Sequence, residues 1–192
     1  MKKPIFTILF LSAAVFFLSA CKGEAPQPVF KKKVRAELLK TTRSKEDHEE
    51  SIRNFRALLE KDPNNIVFLI SIANAYFDMG MDIEAIHYYL QSLNIYPDNV
   101  TVRTDLGTAY RRIGQPDKAL QQYHESLKVD PRHSTTRYNI GVVLLWDKKD
   151  VNGAIRVWKR LLRIDPYFVL ADEVRSNIRV LEDVDKKHGG KL

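Results

Sequence analysis

Four prolines recur along the chain at an almost constant spacing. Pro63, Pro97, Pro131 and Pro166 lie 34, 34 and 35 residues apart, and each is the last residue of a similar segment: LLEKDP, SLNIYP, SLKVDP or LLRIDP. A fixed period of this length indicates stacked structural repeats rather than one globule. Because each repeat in such a stack contacts only its neighbours, we expect function to lie on surfaces of the stack rather than in a buried catalytic pocket.

The first twenty residues, MKKPIFTILFLSAAVFFLSA, form a segment of their own. Two lysines precede an apolar run that ends in small residues, which is the pattern of a secretory signal peptide, and we assign it to residues 1–20. The alternative is an uncleaved signal anchor, because residues 4–20 are at the lower limit of a bilayer span. Both interpretations place the rest of the chain outside the cytoplasm.

The sole cysteine follows this segment directly. Leu18-Ser19-Ala20-Cys21 resembles a bacterial lipobox. The resemblance implies that the Cys21 thiol receives a diacylglyceryl group, that the chain is cut before it, and that the new amine is acylated, for example with palmitate. Two or three acyl chains would hold the protein firmly on a membrane. Lys22, rather than an aspartate, follows the cysteine, and the sorting rule of enteric bacteria then implies the outer membrane, facing the periplasm.

The basic charge of the chain is concentrated near its start. The formal net charge is +7, and loss of Lys2 and Lys3 with the signal peptide would leave about +5. Much of this excess lies in residues 21–46, which we interpret as a lipid-anchored linker. The linker either lies on anionic headgroups or is simply solvated. We expect no nucleic-acid partner, because the repeat region carries balanced charge and an exported protein rarely meets nucleic acid.

Aligned on the prolines, the remainder of the chain divides into blocks of one pattern. Apolar residues at spacings of three and four form a stripe on each of two helices, with a short turn between them. After the last proline, the stripe Leu170, Val174, Ile178 and Leu181 suits a capping helix. The segments are a partial repeat at 47–65, repeats at 66–99, 100–133 and 134–168, a capping helix at 169–184 and a flexible tail at 185–192.

The second block shows the pattern most completely. Gly107 and Ala119 are its small residues, Tyr110 and Tyr123 its aromatic residues, and Pro131 closes it. On these residues the blocks resemble tetratricopeptide repeats, over about residues 47–184. The resemblance implies an all-α solenoid of antiparallel helix pairs. In such a pair the small residues allow close approach, the tyrosines fill the space beside them, and the proline ends the second helix.

Three features depart from the family pattern. Arg103 and Arg137 occupy a position where the family prefers a large apolar residue, so we expect looser packing there, or packing through the arginine stems. The third block has one extra residue in its turn, within DKKDVNG, and Leu161 replaces a small residue. The third repeat is therefore expected to be the least regular.

The sequence contains no recognisable catalytic set. Its five histidines are scattered, and it has no HExxH metal motif, no CxxCH haem motif and no glycine-rich phosphate loop. Acidic residues such as Glu84 and Asp105 are interpreted as solvated helix positions. We therefore predict no enzymatic activity, no cofactor and no metal site.

By resemblance, the first helices of successive repeats line a groove that binds a protein or an extended peptide. Arg111 and Arg112 either pair with carboxylates of the peptide or form a solvated pair. Trp146 either packs under the capping helix, the interpretation we prefer, or anchors a partner. The residues selected for the groove are Asn74, Phe77, Thr104, Thr108, Arg111, Arg112, Tyr138, Val142 and Trp146.

Some chaperone-linked members of the family grip a C-terminal carboxylate with a clamp. Asn74 and Asn139 match that clamp, whereas Ile70, Asp105 and Thr135 stand where polar or basic groups are required. We therefore do not expect a C-terminal carboxylate as the ligand.

The predicted function is a membrane-anchored interaction scaffold, in envelope complex assembly. The alternatives are a helper in periplasmic cytochrome or redox-protein maturation and, in another class, a cryptic enzyme or small-ligand carrier.

Overall fold

The computed structural model describes residues 45–187, which form α-helices joined by short turns without a strand in that range. The predicted signal peptide, Cys21 and most of the predicted linker lie outside the described residues, as do residues 188–192. No helix of the described part is long and apolar enough to cross a membrane. The helices are α1 (Lys45–Leu59), α2 (Ile66–Asp78), α3 (Asp82–Ile95), α4 (Val100–Arg112), α5 (Pro116–Val129), α6 (Ser134–Trp146), α7 (Val151–Ile164) and α8 (Ala171–Lys187).

Helices pack in sequence order, so that α2 pairs with α3, α4 with α5 and α6 with α7, and each pair contacts the next. This arrangement confirms the predicted all-α repeat solenoid. The turns within the first two pairs have three residues and the third has four. Gly80 and Gly114 adopt positive φ in the first two turns, whereas in the longer third turn Lys149 does so.

Side-chain caps start the first helix of two repeats and the second helix of the third. The Asn65 side chain accepts hydrogen bonds from the first turn of α2, and Asn99 does the same for α4. Asp150 caps α7 by accepting from Gly153 N. Such caps satisfy backbone donors that the helix leaves free. They place each helix start just after the proline-containing turn or, for α7, just after the longer turn.

Close approach within a pair depends on glycine. A Cβ on Gly107 would collide with the ring of Tyr123, and a Cβ on Gly141 would collide with the indole of Trp158. Trp158 is fully buried and donates from Nε1 to the carbonyl of Tyr138 at 3.1 Å. The two glycines thus leave room for one large aromatic ring per repeat, as the pattern of small and aromatic residues implied.

The arginines in the apolar position of the repeat do more than pack through their stems. The Arg103 guanidinium donates to the carbonyl of Pro97 at 2.6 Å, and the buried Arg137 donates to the carbonyl of Pro131. Each arginine therefore ties the first helix of its repeat to the proline that ends the repeat before. A charged donor satisfies a carbonyl left free at a helix end.

The final helix also occupies the place of a first helix in a further repeat. Arg175 of α8 donates to the carbonyl of Pro166 at 2.6 Å, as the two earlier arginines do to their prolines. Val174 and Ile178 are buried against α7 and join the core of the third repeat. The helix continues to Lys187, three residues into the segment predicted as a tail. At the other end, α1 buries Ile52 and packs Phe55 against Phe68.

Candidate functional site

We define the groove face as the surface that α2, α4 and α6 present at the positions selected above. Among the selected residues, Asn74, Arg112 and Trp146 are exposed. Those that are half-buried are Phe77, Thr108, Arg111, Tyr138 and Val142. The remaining residue, Thr104, is only 2% exposed. The prediction that Thr104 lines the groove is therefore wrong.

Thr104 belongs to a cluster of buried hydroxyl groups between the second and third repeats. Its Oγ1 lies 2.6 Å from Thr136 Oγ1 and 3.1 Å from Ser126 Oγ, and it donates to the carbonyl of Val100 at 2.8 Å. His133 Nδ1 lies 2.6 Å from Thr136 Oγ1, and burial lowers the pKa of this histidine. Because buried hydroxyls need partners, the cluster faces inward and joins the two repeats.

Arg111 is engaged by the next repeat. Its Nε lies 2.5 Å from Asp147 Oδ2, and both side chains are largely shielded from solvent. The pair links the end of α4 to the turn that follows α6. The guanidinium is therefore neither a solvated group nor a free site for a peptide carboxylate.

Arg112 is engaged by the preceding repeat. Its Nε lies 3.1 Å from Asp82 Oδ2, and it donates to the carbonyl of Phe77 at 3.1 Å. The guanidinium also lies over the Phe77 ring, 4.4 Å from the centroid. Burial raises the pKa of Asp82, although the arginine opposes this effect. The charges of both selected arginines are thus neutralised by carboxylates of the chain itself.

A carboxylate that we interpreted as solvated lies instead in a partly buried position of the groove face. Burial, and secondarily the charge of Asp78, raises the pKa of Asp105 to about 6. Asp105 holds the same position in the second repeat that Asn139 holds in the third. Asn139 contacts the first helix of the preceding repeat, where it donates to Thr108 at 3.3 Å. By this register Asp105 faces Asn74 of α2, whose Oδ1 accepts from Tyr89 at 2.7 Å. The interpretation as a solvated helix position is wrong, because it ignored the neighbouring repeat.

Trp146 is not covered by the final helix, contrary to the interpretation that we preferred. Its side chain is 61% exposed. Trp146 is the last residue of α6, whereas α8 and the segment before it meet α6 near its start, where Tyr138 packs against Phe168 and donates to Glu173 at 3.2 Å. The final helix therefore shields the opposite end of α6, and the alternative, cover by a partner, remains a prediction.

The final helix carries an exposed apolar side chain that the sequence interpretation did not select. Val180 of α8 is 54% exposed. The interpretation treated this helix as a cap and selected groove residues only from the repeats. Within residues 45–187, no group of three His, Cys, Asp or Glu side chains could hold a metal ion.

Two overlapping matches to the tetratricopeptide repeat family cover residues 67–132 and 104–167. The chain belongs to this family. No curated protein shows significant sequence similarity to it.

Solved structures share the fold at low sequence identity. The crystal structure of MamA has a TM-score of 0.61 at 20% identity, covering 76% of this chain and 92% of that one. The first repeat domain of Spaghetti (RPAP3), bound to the HSP90 peptide SRMEEVD, has a TM-score of 0.54 at 22% identity, covering 61% and 93%. A repeat protein from Parabacteroides merdae has a TM-score of 0.64 at 20% identity, covering 74% and 56%. At these identities the likeness concerns the fold alone.

Proposed function

We propose that this protein is a membrane-anchored scaffold that holds a segment of a partner protein in its groove, in the assembly of an envelope complex. The observation that carries the proposal is the exposure of Trp146 on the groove face. A large aromatic side chain left in water loses the free energy that its burial would supply, and aromatic residues are enriched among the anchors of protein interfaces. The same fold in Spaghetti (RPAP3) holds a peptide.

The chemistry of the groove supports binding rather than turnover. Arg111 and Arg112 hold the repeats together through Asp147 and Asp82. Among the described residues, the groove offers apolar surface, hydrogen-bonding groups and carboxylates, with no nucleophile held by a neighbouring base. A surface of this kind recognises a partner by shape and charge, which is the behaviour of a scaffold.

A site-specific photocrosslink tests the partner. A benzoyl-phenylalanine replacing Trp146 in cells should capture a protein, whereas the same residue replacing Tyr167 should not. Tyr167 is the matched control, because it is an exposed aromatic residue in the loop before α8. An envelope-complex subunit in the crosslink would support the assembly role, and a cytochrome or redox protein would support the maturation role instead. Equal crosslinking from both positions, or none from either, would count against a groove-bound partner.

The membrane anchor is tested at Cys21. The change Cys21→Ala should leave an unprocessed precursor that lacks the acyl chains, because the thiol is the predicted acceptor. The measurement is the mass of the native protein and of the Cys21→Ala variant, each purified from membranes. An unchanged mass and unchanged membrane association would refute lipidation while leaving the scaffold role intact.

A further inference from the structure

The apolar part of the groove face lies towards the C-terminal half of the stack. Trp146 is more than half exposed, and Val142, one turn earlier on the same helix, is half-buried. Exposed apolar groups that lie near one another on a repeat surface mark a place where a partner excludes water. The chemistry of that partner follows from the charges beside the patch.

The charges that remain unneutralised beside this patch are negative. Both arginines of the groove form ion pairs within the chain. Within residues 45–187, neither Asp78, Asp105 nor Glu173 forms an ion pair with a basic side chain. The pKa of Asp105 is raised by burial and by Asp78, so these two carboxylates act on each other without a cation between them. A partner that brings a cation would relieve this repulsion.

Resting on the proposed function, we infer that the groove selects a basic segment of its partner. A lysine or arginine side chain lies between Asp78 and Asp105, and a bulky apolar side chain of the same segment covers Trp146. This preference is opposite to that of a groove that grips a carboxylate. It requires no change in the two arginines, which keep their ion pairs.

The positions of Asp105 and Trp146 in their repeats set the distance between the site for the basic side chain and the site for the apolar one. Helices α4 and α6 are in contact, which places their axes about 10 Å apart. Asp105 and Trp146 differ by seven positions along equivalent helices, or about 10 Å of helix rise. The two sites are therefore about 15 Å apart, which an extended chain spans in four or five residues. The expected signature is a basic and an apolar residue at that separation.

Selection from a random library of displayed twelve-residue peptides tests the inference on the full chain in detergent. Peptides that bind should be enriched in lysine or arginine, with an apolar residue four or five positions away. The strongest peptide should bind the Asp78→Asn/Asp105→Asn variant about tenfold more weakly, as the loss of two partly shielded ion pairs implies. It should bind the Trp146→Ala variant about tenfold more weakly as well. The single change Asp78→Asn alters an exposed side chain and serves if the double variant fails to fold.

Matched controls separate this preference from general attraction to an acidic surface. Glu60→Gln/Asp98→Asn removes the same charge from exposed positions in the turns between repeats and should leave affinity unchanged. Enrichment of acidic peptides, or equal losses from both double variants, would overturn the inference while leaving the proposed function standing. If no peptide is enriched, or if the chain dimerises through this face instead, the proposed function fails together with the inference.

Discussion

Replacing Asp105 with asparagine should stabilise the protein at neutral pH. The pKa of Asp105 rises from 3.8 to about 6 on folding, chiefly through burial. That difference corresponds to at most about 3 kcal/mol at 1.36 kcal/mol per pH unit, and partial solvent access reduces the expected gain to about 1–2 kcal/mol. Asparagine should fit, because Asn139 occupies the equivalent position in the next repeat and donates to Thr108.

The sign of the effect depends on pH. A carboxyl group whose pKa is raised in the folded state favours folding fully below its unfolded pKa of 3.8, and this contribution is lost as pH rises through about 6. Near pH 4 the native and Asp105→Asn proteins should therefore be almost equally stable. Above pH 7 the variant should be more stable by the full amount.

Urea denaturation followed by circular dichroism at intervals from pH 4 to pH 8 measures this difference. Asp98→Asn is the matched control, because Asp98 is exposed in the turn before α4, and its effect should be small at every pH. A gain for Asp105→Asn that does not vary with pH would refute electrostatic burial as the cause. A loss of stability at pH 8 would refute the proposed fit of asparagine at this position.

Three further changes test the contacts between and within repeats. Thr136→Val removes the centre of the buried hydroxyl cluster and should lower the free energy of unfolding by about 1–3 kcal/mol in urea titrations, whereas a neutral result would show that the cluster contributes nothing. Gly107→Ala places a methyl group against the buried ring of Tyr123 and should cost about 1–3 kcal/mol, seen as a lower melting temperature, and an unchanged melting temperature would contradict the close approach of the two helices. Arg112→Ala leaves the Asp82 carboxylate shielded and unpaired, so it should destabilise by about 1–3 kcal/mol at pH 7 and less at acid pH. An effect of equal size at both pH values would contradict the ion-pair explanation.

The helix pairs of the protein could be predicted because the sequence features that specify them lie within single repeats. The spacing of the prolines and the alternation of small and aromatic residues are properties of single repeats, and the structure confirms helix pairs at those positions. The extra residue of the third repeat also appears where expected, in the turn that contains Lys149. Each of these features depends on residues close together along the chain.

The groove was predicted less well because its residues contact other repeats. Thr104 has the pattern of a groove residue, yet its hydroxyl partners lie 22 and 32 residues further along the chain. Arg111 meets a carboxylate 36 residues away. Asp105 looked solvated because nothing near it in the sequence indicates burial. A single repeat does not carry the information that decides whether a position is open or paired.

The sequence alone determined the repeat length, the all-α class and the residues that form each helix pair, since these follow from helical periodicity and from the placement of glycine and proline. Only the tertiary structure decided which charges of the groove are neutralised and whether Trp146 is covered. The physical reason is that electrostatic pairing and burial depend on distances between repeats, and these distances are set by how the helix pairs stack. Stacking pairs the two arginines of the groove with carboxylates of neighbouring repeats, and it leaves other carboxylates without an ion pair and a tryptophan exposed.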